Sequence, residues 1–161
     1  MAGRLPIPVS AGESFTTTHQ FAELLKTNTV HILQPDPSNL GGILRTRMVC
    51  AMADANYAVV APHQAQGPIA TAVCVQIGAC TPNLLVQELF DEFNVDWESQ
   101  IVDNPAQVVD GYIGFSELPG LGIESSRPVN SRWPRISSRM SVSATTDASR
   151  GSRDSSASSP K

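Results

Sequence analysis

Residues 30–63 read VHILQPDPSNLGGILRTRMVCAMADANYAVVAPH, and this stretch decides the fold. It opens on a short apolar run, Val30-His-Ile-Leu33, closed by Gln34-Pro-Asp36-Pro37. It ends on a second run, Tyr57-Ala-Val-Val-Ala61, closed by Pro62-His63. Between them Ile43, Leu44, Met48, Met52 and Ala55 recur at three- and four-residue spacing, an apolar stripe that predicts a helix over about residues 40–56. The same alternation continues outward. Upstream, Leu5-Pro-Ile-Pro-Val9 predicts a buried strand running into Ser10-Ala-Gly-Glu13, with two prolines weakening it. Thr16-Thr-Thr18 then caps a helix whose Phe21, Leu24 and Leu25 share a face, and Asn28 stops it. Downstream, residues 68–79 are apolar on nearly every side and predict a packed helix. Leu84-Leu-Val86 predicts a fourth strand, ending in Gln87-Glu88.

Strands alternating with helices predict parallel strands joined by helical crossovers, an α/β fold. The strands are continuous apolar runs, as expected when both faces are covered. Their ends fall at Glu13, Asp36, His63 and Glu88, with spacings of 23, 27 and 25 residues. One strand–helix unit therefore repeats, and each strand delivers an ionisable side chain at its C-terminal end, where strand–helix barrels carry their chemistry. Eight such units need roughly 200 residues. The expected fold is thus a partial TIM-type barrel, its last four strands and three helices, followed by a tail.

The chain has 161 residues, 41% hydrophobic and 16% charged, enough for a core. Its character changes near Glu124. Residues 1–124 carry a net charge of −9, whereas residues 125–161 carry +5 and thirteen serines. Two segments follow: 1–124, the folded part, and 125–161, a Ser/Arg-rich stretch too poor in apolar groups to offset its ordering entropy and expected to be disordered. A basic folded nucleic-acid-binding domain is disfavoured, and no nucleic-acid or membrane partner is expected. No signal peptide is legible, and Cys50, Cys74 and Cys80 lack metal-type spacing. They are expected as reduced, buried thiols of a cytoplasmic protein.

Asp36 and His63 end adjacent strands in this reading. A carboxylate bonded to one imidazole nitrogen fixes the tautomer and makes the other nitrogen a better base, able to remove a proton beside a carboxylate. Glu13 could give Mg²⁺ one oxygen, and Glu88 either hydrogen-bonds a substrate carboxylate or tunes the pair. Plainer alternatives are Asp36 as a turn or cap residue between prolines and His63 as a satisfied polar group at a strand end. His19 and His31 are assigned to structure.

Ser10-Ala-Gly-Glu13, Gln34-Pro-Asp36-x-Ser38-x-x-Gly41-Gly42-Ile43, Ala61-Pro-His63, Gly67-Pro-Ile69 and Gln87-Glu88 resemble the C-terminal part of the mandelate racemase/muconate lactonizing enzyme family of the enolase superfamily. The likeness is closest to the acid-sugar dehydratases, galactonate dehydratase among them. Asp110-Gly-Tyr-Ile113 and Pro119-Gly-Leu-Gly-Ile-Glu124 resemble the family's closing segment, so the resemblance covers about residues 5–124. It implies a (β/α)₇β barrel with a separate capping domain, Mg²⁺, abstraction of the proton α to a carboxylate of a small sugar acid, and loss of a β-hydroxyl as water. Glu13 then resembles the third metal carboxylate, Asp36 and His63 the Asp–His dyad, and Glu88 the glutamate closing the last strand. Pro37 and Asn39 differ from the usual residues of the Gln-Pro-Asp motif. The first two metal carboxylates, and any acid/base residue on earlier strands, have no counterpart here. The expectation is a fragment, through a truncated gene model or shifted frame, that is inactive alone. The alternatives are a non-catalytic partner completing a barrel with another chain or a second copy, a racemase or cycloisomerase of the same superfamily, and an unrelated parallel α/β binding domain.

Overall fold

The computed structural model of the chain describes residues 5–90 and 101–125. Three two-residue strands, β1 (Ser10–Ala11), β2 (Ile32–Leu33) and β3 (Val59–Val60), form a parallel sheet in that order. The helices α1 (Thr18–Lys26), α2 (Pro37–Leu40), α3 (Ile43–Ala55) and α4 (Pro68–Ala79) connect and flank them. Further on, β4 (Val102–Asp103) pairs antiparallel with β7 (Glu124–Ser125), and β5 (Val108–Val109) with β6 (Tyr112–Ile113). The β5–β6 turn is built on Asp110 and Gly111, both at positive φ, which suits a two-residue hairpin.

The sheet turns Leu33 and Val60 into the core, where Phe21, Leu40, Val49 and Ile77 also lose all contact with water. Burial of these side chains is the main favourable term of the fold. Local chemistry sets the helix ends. Thr17 caps α1: its hydroxyl accepts from the Gln20 amide (3.3 Å), and Gln20 Oε1 accepts from the Thr17 amide (3.0 Å), a reciprocal box. Asn28, at φ 53°, ends the turn beyond α1.

The structure corrects several sequence expectations. The first strand lies at 10–11 rather than 5–9. Pro6 and Pro8 have no N–H for a ladder, and pairing begins where Val9 O accepts from His31 N (3.0 Å). The helix expected over 40–56 is two, because Gly41 and Gly42 take φ 93° and 99° and break it. Its buried face is Thr46, Val49, Cys50 and Ala53, whereas Leu44 is 72% exposed and Ile43 and Met48 also face outward. Small side chains let α3 lie close to its neighbours, and the Thr46 hydroxyl is satisfied by Gly42 O (3.0 Å). At 84–86 a single parallel bridge, Val60 to Leu84, replaces a full strand. Cys50 and Cys74 are buried and reduced, but Cys80 is exposed. The tail expectation, from residue 126 on, lies outside the described residues. No helix among the described residues is long and apolar enough to cross a membrane.

Gly12 leads into the turn that carries Glu13, and it sits at φ 121° against the ring of Phe21, which in turn meets Phe15 edge-on at 5.1 Å. A methyl group at Gly12 would overlap that ring. Gly12→Ala should lower stability by about 2–3 kcal/mol in urea unfolding. An unchanged midpoint would show that the ring yields at no cost.

Candidate functional site

The register of the sheet builds the site. Ile32 pairs with Val59 and Leu33 with Val60, so partners across β2 and β3 are 27 residues apart. Asp36 and His63 are also 27 apart, and the ladder runs on past the strands, with His63 N donating to Pro35 O (3.2 Å). The two side chains therefore leave neighbouring strand ends at matching heights. His63 Nδ1 and Asp36 Oδ2 stand 2.9 Å apart.

Asp36 is 1% exposed, and its carboxylate is fully engaged. Oδ1 accepts from the main-chain amides of Ser38 (2.7 Å) and Asn39 (3.3 Å), which caps α2. Oδ2 accepts from Asn39 Nδ2 (3.3 Å) and faces His63. The cap alternative and the partner reading are thus both realised in one side chain. Donors on both oxygens offset the cost of burying the group.

With Nδ1 directed at a carboxylate, the natural tautomer carries its proton there and leaves Nε2 a lone pair. Nε2 faces Glu88, whose Oε2 lies 3.9 Å away, too far for a hydrogen bond. That oxygen is buried and has no hydrogen-bond partner. The gap between Nε2 and Oε2 suits a donor or a proton-bearing atom. Gln87, next to Glu88, donates from Nε2 to Pro62 O (3.0 Å) and ties the Glu88 segment to the end of β3.

Glu13 does not join this cluster. It is exposed, in the turn after Gly12. Partners across β1 and β2 are 22 residues apart, whereas Glu13 and Asp36 are 23 apart, one residue out of phase. Its link to the site is through its main chain: Glu13 O accepts from Asn39 Nδ2 (3.1 Å). Among the described residues no group of three or more His, Cys, Asp or Glu is placed to hold a metal ion. One carboxylate falls short of the several oxygens Mg²⁺ requires, so the residues described do not fit that ion by themselves.

Beneath the pair lies Cys74. Burial, reinforced by the negative charge of Asp36, pushes its thiol up to about 12, so it stays protonated and inert. An apolar cavity of about 510 Å³ opens among α2, α3 and α4, lined by Pro37, Ile43, Ile69 and Val73 among others, but neither His63 nor Glu88 reaches it. Asn39 is the residue that sequence reasoning missed. A polar residue three after the motif aspartate was visible, but the direction of its amide was not.

A family model described as enolase C-terminal domain-like matches residues 1–129. The D-galactonate dehydratase of Ralstonia pickettii is 33% identical over 129 residues, 77% of this chain and 34% of that enzyme. The D-xylonate dehydratase of Haloferax volcanii is 31% identical over 116 residues, 72% of this chain and 28% of that one. A solved member of the enolase superfamily from Salmonella Typhimurium superposes with a TM-score of 0.76 at 28% identity, covering 83% of this chain and 34% of its own. A mandelate racemase/muconate lactonizing enzyme-like protein from Roseovarius sp. TM1035 gives 0.73 at 35% identity, with 83% and 33% covered. The chain spans about a third of the length of the curated relatives it matches.

Two outcomes are expected from this geometry. Asp36→Ala removes the α2 cap and the His63 partner together and should cost about 2–3 kcal/mol in urea unfolding. Asp36→Asn, which keeps an acceptor for the cap, should cost less than half of that. Cys74 holds its proton more tightly folded than unfolded. Its contribution is therefore complete below about pH 9 and is lost as pH rises toward 12. Cys74→Ala should flatten the fall in stability across that window, and parallel curves for the two proteins would contradict the assignment.

Proposed function

The chain belongs to the enolase C-terminal domain-like family, and from that premise we propose that residues 5–124 are the last strand–helix units of a barrel whose His63 exchanges the proton α to the carboxylate of a small sugar acid. The observation that carries the reading is the 2.9 Å contact between Asp36 Oδ2 and His63 Nδ1, with Nε2 turned toward an unpartnered buried oxygen of Glu88.

In this proposal Nε2 takes the α-proton as general base, and Asp36 steadies the imidazolium that results. The same ring, now protonated, can return the proton to the other end of the reaction, to a departing β-hydroxyl, which leaves as water. Glu88 lies across the gap, where a protonated carboxyl or an intervening water would hydrogen-bond the substrate carboxylate. Mg²⁺, which the enolase superfamily employs, would supply positive charge beside the substrate carboxylate. Glu13 could give that ion one oxygen only as part of a larger donor set. The steps assigned to this chain are accordingly proton and hydrogen-bond steps of His63, Asp36 and Glu88. The dehydratases named above support an acid-sugar substrate over the racemase and cycloisomerase branches, and the chain on its own is expected to be inactive.

The test is a chimera in which residues 1–125 replace the matching C-terminal third of the Ralstonia pickettii enzyme. With Mg²⁺ in D₂O, it should exchange the α-proton of D-galactonate or D-xylonate, followed by NMR. His63→Asn should reduce exchange at least about 100-fold, the upper share of a positioned acid–base group. Undiminished exchange in His63→Asn would remove His63 from the mechanism. A folded chimera that exchanges neither acid would remove the sugar-acid reading.

A further inference from the structure

The amide of Asn39 links Asp36 to the turn that follows β1. Nδ2 donates to Asp36 Oδ2 (3.3 Å) and to the main-chain carbonyl of Glu13 (3.1 Å). Both partners only accept, so the amide nitrogen must face them and the orientation of the side chain is not arbitrary. We propose that Asn39 is a positioning residue for His63: by clamping Asp36 Oδ2 to the end of β1, it keeps the imidazole proton on Nδ1 and Nε2 free.

Three features require such a clamp. The helix that carries Asn39 is a single turn, followed by two glycines at positive φ, so it has little stiffness of its own. Asp36 Oδ1 is held by two amides of that turn, but among the described residues Oδ2 has only Asn39 and His63. The amides on Oδ1 set the plane of the carboxylate, but without Asn39 the one described group left on Oδ2 would be the histidine it is meant to orient. Finally, a competitor for the proton lies on the other side of the ring. Glu88 Oε2 is buried, lacks a hydrogen-bond partner and stands 3.9 Å from Nε2. A small rotation of His63 toward it would let Nε2–H donate to Glu88, at the expense of the Asp36 contact. The imidazole thus sits between two carboxyl groups, and Asn39 biases it toward the first. The Cys74 thiol, packed behind, has a sulfur 4.0 Å from His63 O and remains neutral, so it adds no third charge.

This inference concerns the state of the ring and holds whether or not His63 is a catalytic base; only its consequence for turnover rests on the proposed α-proton chemistry. The test is long-range ¹H–¹⁵N correlation on the ¹⁵N-labelled full chain, with the His63 signals assigned by their loss in His63→Gln. Wild type should show the Nδ1–H tautomer of the neutral ring. In Asn39→Ala and Asn39→Asp, which remove the donor, the Nε2–H tautomer should rise at least threefold, while the His19 and His31 signals stay in place. If Asn39→Ala does not fold, Asn39→Ser, too short to bridge both acceptors, should show the same shift. Wild-type ring signals in folded variants would overturn the proposal. In the chimera, a variant that shifts the tautomer should lower kcat with KM unchanged. A shifted tautomer with full α-proton exchange would count against His63 as the base and leave the role of Asn39 standing.

Discussion

The pairing of β2 with β3 is the constraint on which the rest depends. Two parallel pairs, Ile32 with Val59 and Leu33 with Val60, fix a 27-residue offset. That offset carries Asp36 and His63 to the same height at adjacent strand ends. A slip of one residue would turn both side chains to opposite faces. The slip is prevented from below, because Leu33 and Val60 are buried against the helices and a shifted register would bring Ile32 or Val59 inward instead. Core packing along the strands and site geometry at their ends are set by one register.

Asp36 shows why a structural role and a chemical role need not compete. One carboxylate oxygen closes the first turn of α2, and the other orients a histidine. The two demands reinforce each other. Main-chain donors on Oδ1 fix the plane of the group, and a fixed plane is what a hydrogen bond to imidazole needs. A carboxylate held only by side chains would be freer to turn.

Much of this could be read from residue order, and the failures have specific causes. The repeat of short apolar runs closed by Asp36 and His63 reflects a real ladder, so it was legible. The stripe on α3 was misread because Leu44 and Met48 are larger and more apolar than the residues that pack. Close helix contact selects Thr46, Cys50 and Ala53 for size, and it admits a threonine whose hydroxyl finds Gly42 O. Glu13 follows β1 by two residues in a turn, where the 22-residue offset of Ser10 and Ala11 no longer sets the direction of a side chain. The prolines that weakened residues 5–9 as a strand did move the pairing to Ser10 and Ala11. Asn39 was seen only as a departure from a motif, since a sequence does not say where an amide points.

The two halves of the proposed chemistry make unequal demands on the chain. A proton-transfer pair needs two neighbouring strand ends, a cap to hold the carboxylate and a clamp to aim it. Residues 32–63 supply all of these except the Glu13 carbonyl that anchors the clamp. A divalent cation needs several oxygens converging from different strands, and among the described residues no group of three or more His, Cys, Asp or Glu is placed to hold one. Acid–base geometry is therefore local to one strand–helix–strand unit, whereas metal binding is a property of a wider assembly of strand ends. Among the described residues the matching 27-residue spacing brings Asp36 and His63 together, whereas Glu13 stays exposed in its turn.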